Sequence, residues 1–111
     1  MASARRVVVT GLGLITPLGI GKEKVWRKLI SADHGIVKLT DARFDGIPSR
    51  IAGLIPKEDL EQFELGSQPK FIEYALLAAK LGLDDSRLNL EQLDTERVVR
   101  ELFKDIHVLL W

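Results

Sequence analysis

The sequence predicts an α/β fold, and three observations carry that prediction. A β-branched run, Arg5-Arg6-Val7-Val8-Val9-Thr10, ends at a glycine. A largely apolar loop over residues 10–21 follows, punctuated by Gly11, Gly13, Gly19 and Gly21. Beyond it, residues 22–32 and 70–81 carry apolar side chains at helical spacing.

Each element has its own reason. Three consecutive valines suit a strand buried on both faces better than one with a solvated side. Pro17 forbids an ordinary helix across the glycine loop, which should pack inside. In Lys22–Ala32, Val25, Trp26, Leu29 and Ile30 form one stripe, and Glu23 to Arg27 is an i,i+4 pair of the favourable orientation. Asp33-His34-Gly35 stops that helix. Ile36–Leu39 is short and extended, and Asp41–Gly46 is turn-rich.

Ser49–Ile55 has β character, with Ile51, Leu54 and Ile55 apolar and Gly53 interrupting. Pro56 opens a short helix with Glu58 and Asp59 in its first turn, where the helix dipole favours acid. Leu60 and Phe63 supply its apolar side, and Gly66 is the expected end. Ser67-Gln68-Pro69 leads into Lys70–Leu81, apolar nearly all round and so expected between layers, with Gly82 as its cap. Ala75, Ala78 and Ala79 would let a neighbour approach closely. Leu88, Leu90 and Leu93 anchor a polar stretch from Asp84 to Asp94. Val98, Val99, Leu102, Phe103 and Ile106 predict an amphipathic helix over Glu96–Ile106, with Asp94 as its N-cap. The chain closes on Val108-Leu109-Leu110-Trp111.

Composition narrows the function classes. In 111 residues there are 16 basic and 16 acidic side chains, a formal net charge of zero. That gives no electrostatic reason to expect nucleic acid or an anionic membrane as partner. The longest apolar run, Tyr74–Ala79, is six residues, against the ~18 a membrane span needs. Cysteine is absent, so disulfides, thiolate metal sites and cysteine nucleophiles are excluded together. The histidines, His34 and His107, have no ligand-like spacing. No catalytic, cofactor-binding or metal-binding residue is assigned, and no cofactor is expected. No secretory or transit sequence is visible before Val7, so the expectation is a soluble chain, cytoplasmic or mitochondrial.

A strand, then Gly-Leu-Gly, then a helix invites a dinucleotide reading. The fingerprint needs a further glycine three residues past Gly13, where this chain has Thr16 followed by Pro17. No Gly-Lys-Ser/Thr is present for a phosphate loop. The alternative is a loop whose glycines serve close backbone packing.

At this point a resemblance becomes specific. Residues 5–39 resemble the N-terminus of the β-ketoacyl-acyl-carrier-protein synthases, the type II condensing enzymes of fatty-acid synthesis. The pattern runs R-R-V-V-V-T-G-x-G-x-x-T-P-x-G over Arg5–Gly19, then a W-x-x-L step at Trp26–Leu29, then a Gly35-Ile36 turn. Ile51-Ala52-Gly53 resembles the family's next short strand. Phe71–Ala79 resembles its following buried helix, and Thr95–Val98 the approach to the next core strand.

The resemblance implies a partial thiolase-like fold, the N-terminal part of the first α/β/α half, over residues 1–99, with residues 100–111 a divergent helical tail. It implies an acyltransferase chemistry. An acyl chain is held on a cysteine, a malonyl group on acyl carrier protein is decarboxylated, and the two carbons are joined. Two histidines and an oxyanion hole assist. This chain carries no such cysteine, and the family's catalytic histidines lie past its last residue. His34 reads as a cation near a helix C-terminus, and His107 receives no catalytic role. Relatives often carry a Lys/Arg cluster before the buried helix, available to an acidic carrier protein; here Glu64–Lys70 holds one basic residue.

Two functional expectations follow. One is an N-terminal fragment or truncated isoform of a 3-oxoacyl-acyl-carrier-protein synthase, inactive by itself. The other is a non-catalytic interaction or regulatory protein that associates with a full-length synthase, its apolar tail covering open surface or binding a partner helix. Acyl carrier protein is a partner at the family level, and self-association is expected from the unpaired valine strand.

Overall fold

The computed structural model describes residues 3–94. The helix expected over Glu96–Ile106, the Thr95–Val98 match, His107 and the boundary at residue 99 lie outside the described residues.

Among the described residues the architecture is two antiparallel strand pairs and three α-helices, with short 3-10 turns at Ala42–Phe44 and Leu90–Gln92. Strands β1 (Ile15–Thr16) and β2 (Gly19–Ile20) pair with Ile15 opposite Ile20 and Thr16 opposite Gly19. Helix α1 spans Lys22–Ile30. Strands β3 (Ile36–Lys38) and β4 (Ile51–Gly53) pair with Ile36 opposite Gly53, Val37 opposite Ala52 and Lys38 opposite Ile51. Helix α2 (Lys57–Leu60) is a single turn, and α3 (Lys70–Ser86) is the longest element. An α/β composition is therefore present, with both sheets two-stranded.

The first hairpin turns where the sequence places its proline. The Thr16 hydroxyl accepts the Leu18 N–H at 3.1 Å and donates to the Gly19 carbonyl at 3.1 Å, closing the turn around Pro17. Gly19 has φ +140°, a conformation L side chains rarely adopt. Pro17 in turn lies over the second hairpin. A Cβ on Gly53 would come within 3.0 Å of its ring, and one on Gly35 would collide with its backbone.

Several elements differ from expectation for identifiable reasons. Val7–Val9 form no strand among the described residues and are exposed, because no described segment lies alongside to complete a ladder. The helix that begins after Pro56 ends at Leu60 rather than Gly66, its C-cap at Glu61. Gly82 does not cap α3. The helix runs through it to Ser86 and ends at Arg87, which takes the left-handed conformation (φ 54°). Glycine at 82 answers to packing instead, as the loop below shows.

Burial also departs from the periodicity. Of the α1 stripe, only Val25 is buried, while Trp26, Leu29 and Ile30 are exposed. Helix α3 was expected between layers, yet no residue of it is fully buried and Phe71 and Leu76 face solvent. Leu88 and Leu93 are exposed rather than anchored. The Arg27 guanidinium donates to the Glu23 backbone carbonyl at 3.4 Å, so the expected Glu23–Arg27 ion pair is replaced by a backbone contact. The described hydrophobic core is Ile20 and Val25, with Asp59 buried beside them.

Candidate functional site

The glycine loop of residues 10–21 is held from two sides by carboxylates. On one side, Asp59 of α2 accepts the Ile20 N–H at 3.2 Å with Oδ2 and the Lys24 ammonium with Oδ1. On the other, Asp85 of α3 accepts the Leu12 N–H at 3.0 Å with Oδ2 and the Lys22 ammonium at 2.5 Å with Oδ1. Each carboxylate thus joins one loop N–H to one lysine from the start of α1. Both carboxylate oxygens are engaged in each case, which the buried Asp59 requires and the half-exposed Asp85 does not.

Glycine makes these contacts geometrically possible. A Cβ on Gly19 would lie 2.9 Å from Asp59 Oδ2 and 2.8 Å from Lys24 Cδ, so only a bare Cα leaves room for the pair. At Gly13 a Cβ would overlap the Ala78 carbonyl oxygen and sit 2.7 Å from the Gly82 nitrogen. At Gly11 it would overlap the Gly82 carbonyl oxygen and lie 2.6 Å from the Ser86 nitrogen. The loop backbone is laid directly onto the α3 backbone along the Ala78–Gly82–Ser86 line.

Electrostatics follow from these partners. The Lys24 hydrogen bond holds the Asp59 carboxyl below the usual carboxylate range, with the Ile20 N–H assisting and burial opposing. The Lys22 hydrogen bond does the same for Asp85, aided by the Leu12 N–H. A folded-state pKa below the unfolded value stabilises the fold above the unfolded value of about 4 and loses that stabilisation as pH falls through the folded value. Stability should therefore be flat from neutral pH down to about 5 and fall below about 4. Urea midpoints across that range check it, and a midpoint rising on acidification would contradict the assignment.

Chemically, the arrangement is a clamp. The Leu12 N–H, which a phosphate loop would offer to an anion, already donates to Asp85, and a carboxylate there repels phosphate. An open groove of about 260 Å³ beside the loop is lined by Leu12, Leu14, Lys22, Glu23, Val25, Trp26 and Leu29. It contains no thiol, hydroxyl or imidazole. Among the described residues no group of three or more histidine, aspartate or glutamate side chains could hold a metal. His34 is exposed, four residues beyond the last residue of α1, so it is not in the helix's final turn; Arg27 and Lys28 are.

Sequence reasoning assigned Asp59 to the helix dipole and gave Asp85, Lys22 and Lys24 no role. A signal existed for Asp59. It stands four residues after Ile55 and four before Phe63, on the apolar side of its own turn, where an acid needs a partner.

Comparison with known proteins decides what this clamp belongs to. Residues 4–101 match the Beta-ketoacyl synthase, N-terminal domain. The chain belongs to that family. Among its relatives, the 3-oxoacyl-(acyl-carrier-protein) synthase 2 of Vibrio cholerae is 33% identical over 86% of this chain and 24% of its own length. The enzyme of the same name from Rhizobium meliloti is 36% identical over 74% of this chain and 22% of its own. The mitochondrial 3-oxoacyl-(acyl-carrier-protein) synthase of Arabidopsis thaliana is 39% identical over 89% of this chain and 25% of its own. The chain spans about a quarter of the length of these relatives. The glycine loop and both carboxylates fall inside the matched region, so the clamp is part of the family's N-terminal domain as this chain builds it. Among the described residues no helix is long and apolar enough to cross a membrane.

Proposed function

We propose that this chain is the N-terminal segment of a 3-oxoacyl-acyl-carrier-protein synthase, a structural part of the decarboxylative condensing machinery of fatty-acid biosynthesis, and is inactive by itself. The observation that carries the reading is the family match over residues 4–101 in a sequence without cysteine. Condensation needs a thiol to hold the acyl group as a thioester. Decarboxylation of the malonyl partner then generates the carbanion that attacks the thioester carbonyl and expels the thiolate. Nothing in these 111 residues can hold that acyl group as a cysteine thioester. What they offer is scaffold: a glycine loop fixed onto α3 within a partial thiolase-like fold.

Acyl carrier protein is the substrate partner in this reading, and the site is soluble, cytoplasmic or mitochondrial. Glu64–Lys70 offers the carrier a single cation, Lys70, so this segment contributes little charge to docking. Purified chain mixed with acyl- and malonyl-loaded carrier protein should release no carbon dioxide and form no 3-oxoacyl product above the blank. Product formation would overturn the inactivity. Grafting residues 4–101 in place of the corresponding quarter of the Vibrio cholerae relative tests the scaffold role. A folded chimera that condenses supports it, and a folded chimera without activity refutes it.

The exposure of Val7–Val9, Trp26 and Leu29 favours a second reading, a non-catalytic protein that pairs with a full-length synthase. Co-elution of the chain with such a synthase supports this, and separate elution at micromolar concentration counts against it.

A further inference from the structure

We propose that Asp45–Gly46, in the connection from β3 to β4, is a self-modifying site at which this chain forms isoaspartate, restrained by Arg50. Of the chain's aspartates and its single asparagine, only Asp45 is followed by glycine. With no side chain on the following residue, that residue's backbone nitrogen can approach the aspartate Cγ unhindered. The fold itself demands this glycine. The Ile47 N–H donates to the Phe44 carbonyl at 3.3 Å, Asp45 has φ −64° and ψ 136°, and Gly46 has φ +87°. These are the angles of a type II turn, whose third residue needs a positive φ. A Cβ on Gly46 would meet nothing within 4 Å, so conformation rather than packing places glycine here.

The reaction needs only water. The Gly46 nitrogen attacks Cγ of the Asp45 carboxyl group and forms a C–N bond, while the nitrogen loses its proton and a carboxyl oxygen leaves as water. The five-membered succinimide then takes up water at either carbonyl. Opening at Cγ restores aspartate. Opening at the backbone carbonyl breaks the original peptide bond and leaves the chain running through Cγ, with one extra backbone carbon. Two features of the turn oppose ring closure. Closure requires the Gly46 nitrogen on the Cβ side of Asp45, and the extended ψ holds it away, so the turn must open first. The Arg50 guanidinium holds the carboxylate at 3.0 Å, a pair that must part before Cγ can reach the nitrogen. Asp41 is the natural comparison. It too is exposed and ion-paired, to Arg43 at 3.1 Å, but alanine follows it.

This site rests on the turn alone, so its failure leaves the synthase reading intact. Prolonged incubation of the chain in heavy-oxygen water at neutral pH tests it, because passage through the succinimide leaves a heavy oxygen behind. Trypsin separates the two aspartates into Leu39–Arg43 and Phe44–Arg50. Label should accumulate in Phe44–Arg50 and stay at background in Leu39–Arg43. After incubation in ordinary water, part of Phe44–Arg50 should separate as an isomer of equal mass that a protease cutting before aspartate leaves intact. Gly46→Ala should abolish labelling at position 45. Asp45→Glu keeps the glycine and the charge but enlarges the ring, and should abolish it without disturbing the turn. Arg50→Gln should speed labelling about two- to five-fold, the rate equivalent of an exposed ion pair. Equal labelling of the two peptides, or labelling of Asp45→Glu at the wild-type rate, overturns the site. An unchanged or slower rate in Arg50→Gln overturns the restraint.

Discussion

Replacing Gly13 by alanine is expected to lift the glycine loop off α3, at a cost of about 3 kcal/mol, the upper part of the range for overpacking. The reason is steric and lies in two backbones. The added Cβ would overlap the Ala78 carbonyl oxygen and press on the Gly82 nitrogen, neither of which can rotate away. Gly13 does not have a positive φ, so conformational strain contributes nothing. A rescue experiment separates this from ordinary side-chain crowding. Ala78→Gly should not restore stability, because the obstacle at position 78 is main chain. Gly53→Ala should be much milder, since its Cβ meets the Pro17 ring at 3.0 Å and a ring edge gives by tenths of an ångström. Urea unfolding in a Trp111→Phe background reads the loop through Trp26, which shares the groove with Leu12 and Leu14. Wild-type stability of Gly13→Ala, or its rescue by Ala78→Gly, would show that loop and helix are not in backbone contact.

That contact explains why parts of this fold were legible in the sequence and parts were not. Helical spacing located α1 and α3 to within a few residues, since i,i+3 and i,i+4 patterns report one element at a time. The break in helix at Pro17 and the reading of the loop's glycines as serving close backbone packing were equally local. Gly82 was misjudged because a glycine near a predicted helix end has two explanations, a left-handed cap or a close neighbour. Only the position of Gly13 distinguishes them, and it is 69 residues away in sequence. The valine segment failed for a different reason. Residue type reports what Val7–Val9 require, which is burial on both faces, while the described residues supply no strand to satisfy it. Trp26, Leu29 and Phe71 follow the same logic: apolar periodicity names a face, and whether the face is covered depends on chain that must lie beside it.

Long-range polar contacts were the least legible. Lys22 and Lys24 look like ordinary surface cations at a helix start, and i,i+4 arithmetic drew the pairing toward Glu23–Arg27. In the structure their partners come from α3 and α2, 63 and 35 residues downstream. A lone ion pair on one helix is worth a few tenths of a kcal/mol. A carboxylate that also takes a backbone N–H joins two elements, and that second bond is invisible to charge patterning.

Removing the Asp59 carboxylate should therefore be the most damaging polar change, because Asp59 is only 4% exposed. Asp59→Ala strips the Ile20 N–H of its acceptor where Ile20 is itself buried, which costs about 1–3 kcal/mol. It also frees the Lys24 ammonium, but Lys24 is partly solvated, so that loss adds about 1 kcal/mol or less. Asp59→Asn separates the two contributions. The amide oxygen still accepts from Ile20, so this variant should lose only the charge-dependent part. Its urea midpoint should lie between those of wild type and Asp59→Ala. It should also respond less to acid below pH of about 4, because Asp85 alone then remains to be protonated. Asp85→Asn should be gentler still, as Asp85 and Lys22 both reach solvent. If Asp59→Ala and Asp85→Ala destabilise equally, or if Asp59→Asn keeps the full acid response, the clamp is not centred on the buried carboxylate. The ordering expected here follows from burial: the same two bonds to a carboxylate count for more where water cannot replace them.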